Sequence, residues 1–295
     1  MVFIKFVFTN SLINGSIIEY IIIIKGENDM KTRKLFAVVL VVALMLCAFA
    51  GCGGGEGGEG QEEKTTFTIG FDQNFPPMGF VGEDGEFTGF DLELAAEVAA
   101  RNDWEIVYRP IEWDAKDMEL SSGTIDCVWN GFTMNGREDK YTFSKPYMEN
   151  SQIFVVKKSS GITDFASLAG KVVCVQKDSA ALSALNEDAN AALKASFKDL
   201  VELADYNTAF MDLEAGAVEV IGMDIVVAAY QIRDKQDEYM ILEQPLQAEQ
   251  YGVGFLLGNE ELRDTVQATL DAMQEDGKFA EISNKWFGRD VSIAK

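Results

Sequence analysis

From residue 66 onward the apolar and polar positions of this chain alternate between two periods. Thr66 to Phe71 (TFTIGF) reads as a strand, and it ends at Asp72-Gln73-Asn74-Phe75-Pro76-Pro77, where the prolines block its continuation. Glu83-Asp84-Gly85 has hairpin-turn chemistry between Phe80-Val81 and Phe87. Residues 89–101 take the helical period: Phe90, Leu94 and Val98, flanked by Leu92 and Ala95, form one apolar stripe, and acids in the first turn suit the helix dipole. A strand at 106–110 and a short helix at 113–120 follow. Residues 124–129 (TIDCVW) are an apolar run of β-formers, which predicts a strand buried on both faces. Beyond Tyr147 the pattern predicts strands at 151–156, 171–175, 218–223 and 252–257. It predicts a helical turn at 165–168 and helices at 180–194, 205–215, 225–233 and 262–273, with a last short helix running through Trp286. This alternation predicts an α/β protein with mostly parallel sheets. A change of character near 149–152 and a second crossover near 244–250 divide it into two lobes, residues 67–150 with 247–295 and residues 151–246.

Ahead of residue 66 the pattern is different. Residues 1–29 are rich in Phe and Ile but broken by Lys5, Asn10, Asn14 and Glu19, short of the ~18 uninterrupted apolar residues of a membrane span. From Met30 the order is basic (KTRK), apolar (Leu35 to Ala50) and then small, ending in Ala48-Phe49-Ala50-Gly51-Cys52. Translation is therefore expected to start at Met30. That makes residues 1–29 a mis-assigned extension, 30–51 a signal peptide and 52–66 a flexible Gly/Glu tether.

Composition narrows the chemistry. A net charge of −23 argues against nucleic acid as a partner, because no basic patch exists to neutralise phosphates. The chain has no histidine, which removes the commonest general base and metal ligand together; Ser-His triads and His-zinc sites are excluded. No cofactor or metal is expected. Cys127 and Cys174 fall in apolar strand-like runs, so buried free thiols are favoured over a disulfide.

Candidate chemistry concentrates in residues 123–147, GTIDCVWNGFTMNGREDKYTFSKPY. Asn130, Gly131, Thr133, Asn135 and Gly136 form a donor-rich loop behind a strand, and Arg137 adds a fork of donors suited to a carboxylate. In open α/β sheets such loops at the carboxyl ends of strands bind small ligands, although an ordinary strand-to-helix connection with a solvated Arg reads equally well. Ser179 lies between a strand and a helix N-terminus, a ready anion site. Asp224 ends another strand, as a ligand group or as a helix N-cap. Phe75 and Trp113 are either ligand-stacking aromatics or packing residues.

Taken in order, GFDLELAAEVAARN, IEWDA, SSGTIDCVWNGFT, REDKYTFSKPY, VIGMD and GKFAEISNKWFG run from residue 89 to residue 288, and this set resembles the family-3 extracellular solute-binding proteins of bacterial ABC transporters, a likeness taken to cover residues 67–288. The resemblance implies a periplasmic-binding-protein-like type II fold: two α/β lobes joined by two crossover strands, with a ligand cleft between them. It implies that a free amino acid is held there by Arg137, Thr133 and Ser179 at its carboxylate and by Asp224 and Gly131 at its ammonium. Phe75, Trp113 and Asp72 would contact its side chain. It further implies delivery to an ABC permease by a monomeric, non-enzymatic protein. The Ala-Phe-Ala-Gly-Cys end resembles a lipobox, implying lipidation of Cys52 and an extracytoplasmic, membrane-anchored location. Asp72, Asp114 and Asp178 favour a polar or cationic amino acid. The alternative is an enzyme on the same fold, such as a cyclohexadienyl-type dehydratase, with Glu112, Asp72 or Asp178 as general acid. Two departures stand out. The segment from Gly131 to Arg137 is one residue shorter than the family's Gly-x-Thr-x-Thr-Pro-Glu-Arg, so the Asn-Gly turn must restore the reach of Arg137. Gln176-Lys177-Asp178-Ser179 replaces Gln-Gly-Ser/Thr-Thr.

Overall fold

Two large sheets and one small one take up the strands in the computed structural model, which describes residues 65–293. The expected extension, signal peptide and Cys52 lie outside those residues. The first part of the chain forms β1 (Thr66–Phe71), β2 (Asn74–Phe75), β3 (Gly79–Val81), β4 (Phe87–Thr88), β5 (Glu105–Pro110), β6 (Cys127–Val128) and β7 (Tyr141–Phe143). The middle forms β8 (Met148–Lys157), β9 (Val172–Gln176), β10 (Asp199–Leu203), β11 (Val220–Asp224) and β12 (Tyr239–Ile241). The chain then returns through β13 (Gln247–Tyr251) and β14 (Gly254–Leu256).

One sheet has the order β5-β1-β6-β14-β7 and the other β10-β9-β11-β8-β12, while β2, β3 and β4 make a small sheet of their own. The lobes meet where β8 and β13 cross between them as an antiparallel pair, in register from Gln247 opposite Gln152 to Tyr251 opposite Met148. The architecture is two α/β lobes joined by two crossover strands. Its sheets are mixed: β1 pairs in parallel with β5 and β6, and β9 with β10 and β11, but β7, β8, β12, β13 and β14 all pair antiparallel. Among the described residues no helix is long and apolar enough to cross a membrane.

The helix Phe90–Arg101 buries Phe90, Leu92, Leu94, Ala95 and Val98, the stripe read from its period. Each large apolar side chain so buried stabilises the fold by roughly 1.5–3 kcal/mol. Three local readings change. The buried run at 124–129 contributes only Cys127–Val128 to the ladder, because Asp126 accepts the Thr68 N–H with its side chain at 2.7 Å where a strand carbonyl would stand. The helix expected over 180–194 is broken: Ala180–Asn186 stops at Glu187, whose backbone is extended, and Asn190 donates to the Ala184 carbonyl at 2.8 Å, satisfying an end that a continuous helix would have satisfied itself. Edge strands β10 and β12 have no counterpart in the sequence reading; Asp199–Leu203 is half-exposed and carries two acids, and Tyr239–Ile241 is three residues long. Cys127 and Cys174 are buried free thiols in different sheets.

Candidate ligand-binding site

Between the lobes lies a cavity of about 240 Å³, its mouth included. Arg137, Thr133, Ser179, Asp224, Gly131, Phe75 and Trp113 all line it. Gln176, Ala180 and Tyr206 complete the lining and were not singled out by the sequence. Asp72 does not line it; it stands one layer back, held by Gln176.

The shortened loop reaches the cavity through a tight turn. Arg137 N donates to the Met134 carbonyl at 2.9 Å, and Gly136, at φ 74°, occupies the position where a side chain would be strained. The turn is pinned from outside, since Gln250 N donates to Asn135 Oδ1 at 2.9 Å. Arg137 is 8% exposed. Its Nη1 donates to the Thr133 carbonyl at 3.0 Å, its Nη2 to the Asp178 carbonyl at 3.3 Å, and the guanidinium lies over the Phe132 ring. Gly131, at φ 58°, holds a backbone in which a side chain would be strained, and a Cβ there would press to 3.0–3.1 Å from Phe75 and Tyr251.

Asp224 faces the cavity from the carboxyl end of β11 and is buried. The Tyr251 hydroxyl donates to its Oδ1 at 3.1 Å and Gln152 Nε2 to its Oδ2. Burial, with a further push from nearby Glu249, holds its carboxyl well above the usual range. Arg137 therefore meets only carbonyl oxygens and Asp224 only an amide and a phenol; neither forms an ion pair among the described residues. Ser179 caps the helix Ala180–Asn186, accepting from Leu182 N at 3.2 Å. Thr133 bridges Tyr251 in a short antiparallel contact, with Met134 N and the Phe132 carbonyl making the hydrogen bonds on either side. Its own N–H is left pointing away from that strand. Trp113 packs edge-on to Phe132 at 5.6 Å, and Phe75 lies 5.9 Å from Tyr206 across the lobe boundary.

Further contacts draw the lobes together. Gln176 donates to Asp72 at 2.7 Å, and Lys116, buried against Trp113, pairs with Asp178. Burial pulls the Lys116 ammonium below its ordinary range while Asp178 pulls it back up. Of the three acids named for the enzyme alternative, none lines the cavity: Glu112 is exposed, Asp72 is engaged by Gln176 and Asp178 by Lys116.

Under the Gly131 loop sits Asp91, fully buried, accepting the Gly131 N–H at 2.5 Å and the Tyr147 hydroxyl at 2.9 Å. Burial outweighs these hydrogen bonds and raises its pKa from 3.8 to about 7. Burial likewise raises Asp72 to about 6. A carboxyl that keeps its proton longer when folded adds stability that is complete in acid and lost as pH rises towards its folded pKa. The ligand-free protein is thus expected to melt higher near about pH 5 than near about pH 8, and Asp91→Asn to narrow that gap by raising the alkaline value. Calorimetric melts at both pH values check this; a gap unchanged by Asp91→Asn would remove Asp91 from the account.

Residues 67–289 match the profile of the bacterial extracellular solute-binding proteins, family 3. The chain belongs to that family. It is 31% identical to the L-cystine-binding protein TcyJ of Escherichia coli over 234 residues, covering 78% of this chain and 86% of that one. Among solved structures it is similar to a Streptococcus pneumoniae ABC uptake transporter substrate-binding protein with bound histidine, at 36% identity and a TM-score of 0.74, covering 78% of this chain and 95% of that one. It is similar also to Tv2483 bound to L-arginine, at 28% identity and a TM-score of 0.74, covering 78% and 93%. These neighbours share the type II periplasmic-binding-protein architecture. The named relatives are transport-binding proteins, so this family-3 member is a solute-binding protein and not an enzyme.

Proposed function

We propose that this family-3 protein captures a free α-amino acid by closing its lobes and delivers it to an ABC permease. The observation that carries the reading is a pair of buried charges, Arg137 and Asp224, that face one cavity and lack ion-pair partners of their own. Each is unfavourable alone, and a zwitterion neutralises both at once. Arg137, the Thr133 N–H and the Ser179 helix end would take the carboxylate. Asp224, the Gly131 carbonyl and the Thr133 hydroxyl would take the ammonium. Phe75, Trp113 and Tyr206 would enclose the side chain, with Gln176 at its far end, backed by Asp72. A polar or cationic side chain suits this acidic surround, and relatives are named for cystine, glutamine and arginine. Residues 67–150 with 247–295 would move as one lobe and 151–246 as the other. The protein would act as a monomer outside the cytoplasm, tethered through lipidated Cys52.

A thermal-shift screen of residues 52–295 against the common amino acids tests this. A ligand at about 100 times its Kd adds about 2.7 kcal/mol, a readily visible rise in melting temperature. If none of them shifts the transition, the amino acid reading falls.

A further inference from the structure

One carboxylate beside the ammonium end does not line the cavity. Glu249 lies buried on β13, directly opposite Asn150 of β8. Its Oε1 accepts three hydrogen bonds, from the Thr133 hydroxyl at 2.9 Å, Asn150 Nδ2 at 2.6 Å and Gln152 Nε2 at 2.8 Å. Its Oε2 and the side-chain carbonyl oxygens of Asn150 and Gln152 are buried without a hydrogen-bond partner. Gln152 Nε2 gives one hydrogen to Glu249 and the other to Asp224. A threonine hydroxyl has a single hydrogen, and that of Thr133 goes to Glu249.

Thr133 lines the cavity, so what its hydroxyl has left to offer there is its lone pairs. We infer that Glu249 is a positioning residue for the ligand's ammonium: by taking the Thr133 hydrogen and orienting the Gln152 amide, it makes that end of the cavity present acceptors only. Without an acceptor at position 249 the hydroxyl hydrogen is free to turn into the cavity that Thr133 lines. It then opposes the hydrogens of an incoming ammonium, and Gln152 and Asn150 are left with buried donors. The hydrogen-bonding effect falls on the ammonium, because the groups facing the carboxylate, Arg137 and the Ser179 helix end, make no hydrogen bond with Glu249; Arg137 feels it only through its charge, which Glu249→Gln removes as well.

The inference rests on the amino acid reading, and its test separates the two. The probes are the amino acid giving the largest thermal shift and the same molecule with hydrogen in place of its α-amino group; for histidine the partner is 3-(imidazol-4-yl)propionate. Affinities are measured by calorimetry, with competition for the weaker probe. Glu249→Met, which removes the acceptor, is expected to weaken the amino acid at least about tenfold and to leave the des-amino probe within about threefold. Glu249→Gln keeps an acceptor oxygen and is expected to hold both probes within about threefold of wild type. Equal losses for both probes would mark a general hinge defect and overturn the inference. A Gln variant as weak as the Met variant would overturn it too, since charge and not the acceptor would then be responsible. Should Glu249→Met not fold, the hydroxyl carries the test: Thr133→Val must lose the preference for the amino acid at least about tenfold and Thr133→Ser must keep it. Equal behaviour of those two variants overturns the role. If wild type binds no amino acid, the parent reading fails first. If it binds one and discrimination survives in Glu249→Met, only the role of Glu249 falls.

Discussion

Arg137→Met is expected to weaken every α-amino acid by at least about a hundredfold, a loss near 3 kcal/mol. The guanidinium is already oriented within its own lobe by the Thr133 carbonyl and supported by the Phe132 ring, so little freedom remains to be lost when a carboxylate arrives. Methionine fills similar volume and keeps the packing, but leaves a carboxylate desolvated with no cation. Arg137→Lys is expected to fall between, because an ammonium restores the charge without the fork. Titration calorimetry with the amino acid found in the screen measures both. An Arg137→Met affinity within about threefold of wild type would show that the carboxylate is seated elsewhere.

Asp224→Asn is expected to move two quantities in opposite directions. Affinity for amino acids falls by about a hundredfold or more, since truncating one partner of a buried charged pair costs about 2–5 kcal/mol. The ligand-free protein melts higher near neutral pH, because the empty cavity no longer holds a carboxylate that burial and Glu249 both disfavour. The sign follows from linkage: a carboxyl raised in the folded state weakens the fold as pH rises through its folded value, and the amide has nothing to ionise. Calorimetric melting without ligand and titration with it give the two readings. A variant that loses affinity without gaining stability would mean that the ligand-free cavity already compensates Asp224.

How much of this was legible in the sequence depends on how far apart the partners lie. Arg137 and Asp224 were legible because each closes a short local pattern, a β-run broken by turn residues or a strand ending at an acid. The helix at Phe90–Arg101 was legible because period alone decides which face is buried. Glu249 was harder, since its partners Thr133, Asn150 and Gln152 lie about a hundred residues away and are brought to it by the register of β13 on β8. A weak signal was present: in Gln247–Tyr251 the period of two places Glu249 on the same side as buried Tyr251. Tyr206 gave none, because it is the first residue of its helix, where the period does not say which side chain reaches a cavity shared with the other lobe. The family resemblance makes Asp72 a ligand contact, but it stands behind the wall, because its backbone and side-chain bonds to Asn130, Asn74 and Gln176 fix it there.

The paired crossing strands also set an order of events. Gln152 and Glu249 sit on that two-stranded ribbon, Asp224 pairs with it directly, and Thr133 bridges it through Tyr251. On the proposed function, the seat for the amine would therefore be tied to the ribbon about which the lobes would turn, whereas the bonds from Arg137 and Lys116 to Asp178 run from one lobe to the other and would be lost on opening. A solute arriving at the open molecule would find its amine seat ready and its carboxylate seat unfinished. On this order of assembly, arrival rates would report on the amine and residence times on the acid.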